Sequence, residues 1–90
     1  MSTSFEVVVE LPGQVDLHAR PAADFVRAAM RFDSAITVAH GEREADAKSL
    51  LSVLALGAKG GTELRLRADG DDAASAVDAL AGRIATLEDL

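Results

Sequence analysis

Apolar and polar residues alternate at the start of the chain. Phe5, Val7, Val9 and Leu11 share one parity, and Glu6, Val8 and Glu10 take the other. Successive strand side chains point to opposite faces, so the pattern predicts a strand with the first set buried. Pro12-Gly13 ends it. The period then lengthens. Ala22, Phe25, Val26, Ala29 and Met30 follow helical spacing and predict a helix from about Ala19 to Met30 with these residues inward. Pro21 suits its first turn, where a missing N–H removes no helical hydrogen bond. Ile36 and Val38, alternating with Thr37 and Ala39, mark a second strand. His40-Gly41-Glu42 reads as a tight turn into a short third strand that ends near Ala45.

Ser49 then fits the N-cap of a short helix from Leu50 to Leu56, which Gly57 stops. Leu64, Leu66 and Ala68 alternate with Glu63, Arg65 and Arg67 in a fourth strand. Asp69-Gly70-Asp71-Asp72 leads into a last helix, about Ala73 to Leu87, with Ala73, Val77, Leu80, Ile84 and Leu87 as its inner stripe. The order is βαββαβα. Each amphipathic element has one apolar side. The economical arrangement is an α+β open-faced β-sandwich, a four-stranded, mostly antiparallel sheet with three helices on one face. No repeat, linker or low-complexity stretch interrupts it, so residues 1–90 read as a single domain.

Composition narrows the chemistry. A chain of 90 residues buries only about 60–65% of its unfolded surface. That leaves little room for a deep internal site, so chemistry belongs at the surface with a partner completing it. Fifteen acidic residues against nine Lys and Arg give a net charge of −6, which disfavours nucleic acid as a partner. With no Trp or Tyr and only three Phe, base-stacking platforms are also poorly supplied. No cysteine is present, which excludes disulfides and thiolate metal sites. No apolar run is long enough for membrane insertion, and the first residues lack a signal-like pattern, so a cytoplasmic location is expected.

The informative stretch is Leu17-His18-Ala19-Arg20-Pro21-Ala22-Ala23. It sets a histidine at the start of the first helix. The opening N–H groups of a helix lack internal partners, and that end carries about half a positive charge. Such an end attracts phosphate. Arg20 adds a planar cationic fork suited to phosphate oxygens. An imidazole is a nucleophile in its neutral form. The sequence has no Gly-rich nucleotide loop, no carboxylate pair set for a metal and no Ser-His-Asp set, so no cofactor or metal is implied. A nucleophile with an anion cradle and no nucleotide site reads as a carrier charged by another protein, rather than as a stand-alone enzyme.

These residues, with the element order, resemble the histidine-containing phosphocarrier (HPr) family of the bacterial phosphoenolpyruvate-dependent sugar phosphotransferase system. The resemblance runs from about Phe5 to Leu87 and includes a second stretch, Lys48-Ser49-Leu50-Leu51, followed by Leu56-Gly57. It implies that His18 is the phosphorylated histidine, carrying phosphate on Nδ1, with Arg20 and the backbone N–H of Ala19 and Arg20 beside it. Ser49 matches the serine that an ATP-dependent kinase/phosphorylase modifies in some bacteria for carbon catabolite regulation. The implied function is a monomeric carrier that takes phosphate from enzyme I and gives it to sugar-specific enzyme IIA proteins.

The helix from Leu50 to Leu56 is apolar on almost every side. Val53 and Leu56 are expected inward, which leaves Leu50, Leu51 and Leu54 as a partner-binding patch. A core helix would explain the same residues. His40 reads as a solvated turn residue, and the Asp69–Asp72 acids as a helix start. The chain departs from the family at Asp16, where Gly is usual, at Val15, where some members have Asn, and in a Leu11–Leu17 loop about two residues longer. Asp16 is expected about 6–8 Å from the imidazole, where its charge disfavours a phosphoryl dianion on the ring unless it turns to solvent. Other readings fit less of the chain. One is a regulatory binding protein controlled by phosphorylation of Ser49. Another is a related carrier serving a nitrogen or dihydroxyacetone kinase pathway. The last is a ligand-binding ferredoxin-like domain, which gives His18 no role.

Overall fold

The computed structural model describes residues 3–87. The elements follow the predicted order: β1 (Ser4–Glu10), α1 (Ala19–Ala29), β2 (Ala35–His40), β3 (Arg43–Asp46), α2 (Leu50–Ala55), β4 (Glu63–Asp69) and α3 (Ala73–Ala85). The four strands form one sheet in the order β1-β4-β2-β3, with every neighbouring pair antiparallel. Val7 faces Leu66, and Val38 faces Leu66 from the other side. Directly opposed residues share a face of the sheet, so these apolar rows line up on the side that the helices cover. Leu64, Leu66, Ile36, Val38 and Ala45 are buried there with Phe25 and Val26 of α1, Val53 of α2, and Leu80 and Ile84 of α3. The opposite face is polar. Arg65 and Arg67 on β4 lie among Glu6, Glu44 and Asp69.

Two apolar residues assigned inward by periodicity stay at the surface. Phe5 is 43% exposed because β1 is an edge strand and Phe5 lies near its open end. Met30 is 64% exposed because α1 ends at Ala29 and Met30 is its C-cap, beyond the last residue that the stripe can carry to the core. The other two helices also end slightly early, with Leu56 and Thr86 as C-caps, although Leu56 and Leu87 remain buried.

Two tertiary ties position the loops. At one end, the Asp72 carboxylate accepts from Asp33 N–H (2.8 Å), Ser34 N–H (2.9 Å) and the Ser34 hydroxyl. Ser34 is the one buried polar side chain of the described core. The acidic run thus starts α3, as expected, while Asp72 also fastens the α1–β2 connection. At the other end, the loop after β1 meets the loop after α2. Leu11 N–H donates to Thr62 O, Gly61 N–H to Leu11 O, and Leu17 N–H to Ala58 O, at 2.8–2.9 Å. A side chain at Gly60 would strike the Gly13 and Pro12 carbonyls, so only glycine fits that crossing.

Candidate functional site

The site grows out of that crossing. The β1–α1 loop arrives with Val15 and Leu17 buried and Asp16 between them. Val15 and Leu17 anchor the loop, and a tight turn in which His18 N–H donates to Asp16 O (2.8 Å) sets Asp16 and His18 on its outer side. His18 has extended backbone geometry (φ −81°, ψ −172°) and serves as the N-cap of α1, and its side chain makes no capping hydrogen bond. The ring is free of a structural capping duty and 68% exposed. The first helical hydrogen bond runs from Ala22 N–H to His18 O (2.9 Å). The backbone donors of Ala19 and Arg20 precede that bond, Pro21 has none, and α1 has no acidic residue in its first turn. That end of the helix carries the partial positive charge of its opening N–H groups. Ala19 and Arg20 are exposed beside the ring, while Pro21 and Ala22 are buried and seat the helix.

Asp16 is closer than the sequence alone suggests. Its Oδ2 lies 3.5 Å from His18 Nε2. Its Oδ1 accepts from Gly60 N–H at 2.8 Å. The carboxylate therefore does not turn to solvent. It bridges the α2–β4 loop to the histidine, and its side chain is 38% exposed. The Gly60 N–H holds the Asp16 pKa below the usual carboxylate range. Partial burial opposes this, and the charge of Lys59 and the contact with His18 assist it. Asp16 is thus held in its anionic form near neutral pH.

The second element is α2, which packs against α1. Ser49 is its N-cap and accepts from Ser52 N–H at 3.4 Å. Val53 and Leu56 are buried as predicted. The outer residues are graded: Leu51 is 80% exposed, Leu50 38%, and Leu54 is half-buried against the core. The patch is therefore centred on Leu50 and Leu51, with Leu54 as its floor. His40, expected as a solvated turn residue, is instead the half-buried last residue of β2, where it lines a surface hollow with Leu56 and Gly57 at the end of α2. Sequence reasoning missed Gly60. A glycine 44 residues from Asp16 leaves no local signal of a shared hydrogen bond. Among the described residues, no helix is long and apolar enough to cross a membrane.

An antiparallel βαββαβα sandwich with an exposed histidine at the α1 N-terminus is the arrangement expected of the phosphocarrier family that the sequence resembles. The sequence profile of the PTS-HPr family, described as "PTS HPr component phosphorylation site", matches residues 4–86. The chain belongs to the HPr phosphocarrier family of the phosphotransferase system. It is 46% identical over 80 residues to the phosphocarrier protein HPr of Haemophilus influenzae, covering 89% of this chain and 94% of the relative. The crystal structure of an HPr from Thermoanaerobacter tengcongensis superposes with a TM-score of 0.88 at 39% identity, covering 96% of this chain and 99% of that one. The Bacillus subtilis catabolite repression protein Crh is also similar, with a TM-score of 0.73 at 36% identity and coverage of 86% and 88%.

Proposed function

We propose that this chain is a monomeric cytoplasmic carrier that accepts a phosphoryl group from enzyme I on His18 and delivers it to sugar-specific enzyme IIA proteins. The observation that carries the reading is the exposed His18 ring, which caps α1 without being used as a cap. Ala19 N–H and the Arg20 backbone and guanidinium are the donors to the phosphoryl oxygens. Partners dock on the Leu50, Leu51 and Leu54 surface of α2, which packs beside α1. In forward transfer a bond forms between phosphorus and a ring nitrogen while the donor's bond to phosphorus breaks. The same exchange with the next acceptor reverses it.

The test is incubation with phosphoenolpyruvate and enzyme I, followed by mass spectrometry. One acid-labile phosphate is expected on the wild-type chain and on His40→Ala, and none on His18→Ala. Labelling of His18→Ala, or its loss in His40→Ala, overturns the assignment. A second reading has its own support in the likeness to Crh and in Ser49 at the head of the exposed leucine patch. In it a kinase/phosphorylase modifies Ser49 and the protein binds a regulatory partner.

A further inference from the structure

We propose that Asp16 is a positioning residue that selects which nitrogen of His18 takes the phosphoryl group. The inference rests on the carrier reading above. Its basis is the two-sided grip on the Asp16 carboxylate. Oδ1 is committed to Gly60 N–H at 2.8 Å, and Oδ2 then stands 3.5 Å from Nε2 of the ring. A carboxylate only accepts, so it is satisfied by a ring that carries its hydrogen on Nε2. In a neutral imidazole the hydrogen on one nitrogen leaves the lone pair on the other. The lone pair is then on Nδ1. The separation is long for a hydrogen bond, as is common before the reacting complex closes.

The step balances on this arrangement. The Nδ1 lone pair forms the bond to phosphorus as the donor's bond breaks and keeps its electrons. The ring becomes a phosphorylated imidazolium with its hydrogen still on Nε2, facing the anionic Asp16. Asp16 takes no proton. Its charge favours the cationic ring, and a cationic ring is the better leaving group when the P–N bond electrons return to Nδ1 in the next transfer. Lys59 is the neighbouring cation that also acts on Asp16, and Gly60 fixes the direction of the carboxylate.

The decisive variant is Asp16→Asn. An amide has one accepting oxygen. With that oxygen on Gly60 N–H, the NH2 group faces Nε2 and needs a lone pair there, which moves the ring hydrogen onto Nδ1. Asp16→Ala removes the neighbour and imposes neither form. A residue that only braced the loop would rank the isosteric Asn above Ala. The proposed role ranks them the other way.

Long-range 1H–15N correlation spectra of the neutral ring read the hydrogen position without enzyme I. The ratio of the Nε2–H to the Nδ1–H form should fall by about two- to tenfold in Asp16→Asn, the worth of one net hydrogen bond. Single-turnover phosphorylation by enzyme I should be slowed in the order wild type, Asp16→Ala, Asp16→Asn, with melting temperatures confirming that each is folded. An unchanged ratio overturns the inference. So does a shifted ratio with Asp16→Asn transferring as fast as Asp16→Ala. A wild-type chain that takes no phosphate overturns the carrier reading instead, and the ring spectra still report on the Asp16 contact.

Discussion

Leu51 separates surface from core in one substitution. Its side chain is 80% exposed, while Val53 two residues on is fully buried. Leu51→Ala therefore removes three carbons from the solvent side of α2 and leaves no cavity. Stability of the free protein should change by less than about 0.5 kcal/mol, as at other exposed positions. In a complex that covers the patch, each carbon contributes about 0.8 kcal/mol on burial, or about 2.4 kcal/mol together. Only the four-fifths still open to solvent remains to be buried, which leaves about 2 kcal/mol. That corresponds to a loss of roughly thirtyfold in affinity. Steady-state transfer from enzyme I, measured against carrier concentration, should show the loss as a higher apparent KM with kcat nearly kept. Calorimetry on the free variant should give the wild-type melting temperature. An apparent KM within threefold of wild type refutes docking on this patch. A melting temperature lowered by several degrees refutes the exposed placement of the residue.

Ser49→Asp should raise the apparent KM for enzyme I by about tenfold or more, because docking on the adjacent Leu50 and Leu51 patch would have to strip water from a new carboxylate; Asp also caps helices, so the melting temperature should hold. Asp72→Ala should lower thermal stability near neutral pH and flatten its fall in acid. The Ser34 hydroxyl and the Asp33 and Ser34 N–H groups hold the Asp72 pKa below its ordinary value. A folded-state pKa below the unfolded one gives stability that is present above the unfolded pKa of about 3.9 and lost as pH falls through the folded value. The melting-temperature gap between wild type and variant should thus be widest above about pH 4 and close below it; a gap independent of pH would show that the carboxylate charge is not what holds the loop.

The sequence carries the βαββαβα order because the apolar period alternates between two and 3.6 residues along the chain, with several of the breaks marked by Gly, Pro, Ser or Asp. His18 and Ser49 are legible for the same reason, since both stand at the N-cap position where a new period begins, although only Ser49 caps with its side chain. Periodicity fails where an element meets solvent. Phe5 and Met30 keep the right phase but lie at an edge strand and a helix end, where no second layer covers them. It also fails across the chain. Asp16 reaches 3.5 Å from the ring because Gly60, 44 residues later, draws its other oxygen aside. Asp72 and Ser34 meet across 38 residues in the same way. A local pattern holds no information on which two loops will cross.

The strand order has a consequence for when the surroundings of His18 are completed during synthesis. β1, made first, has β4 as its partner in the sheet, with α1, β2, β3 and α2 between them in the chain. Closing so long a loop has an entropic cost that only the completed pairing offsets. Asp16 follows β1 and Gly60 precedes β4, so the two can meet only when those strands align. A growing chain on the ribosome thus presents His18 early, while the Gly60–Asp16 bond beside it waits until residues 63–69 have emerged. Fragments that stop short of β4 would carry the histidine without the strand pairing that brings Gly60 to Asp16.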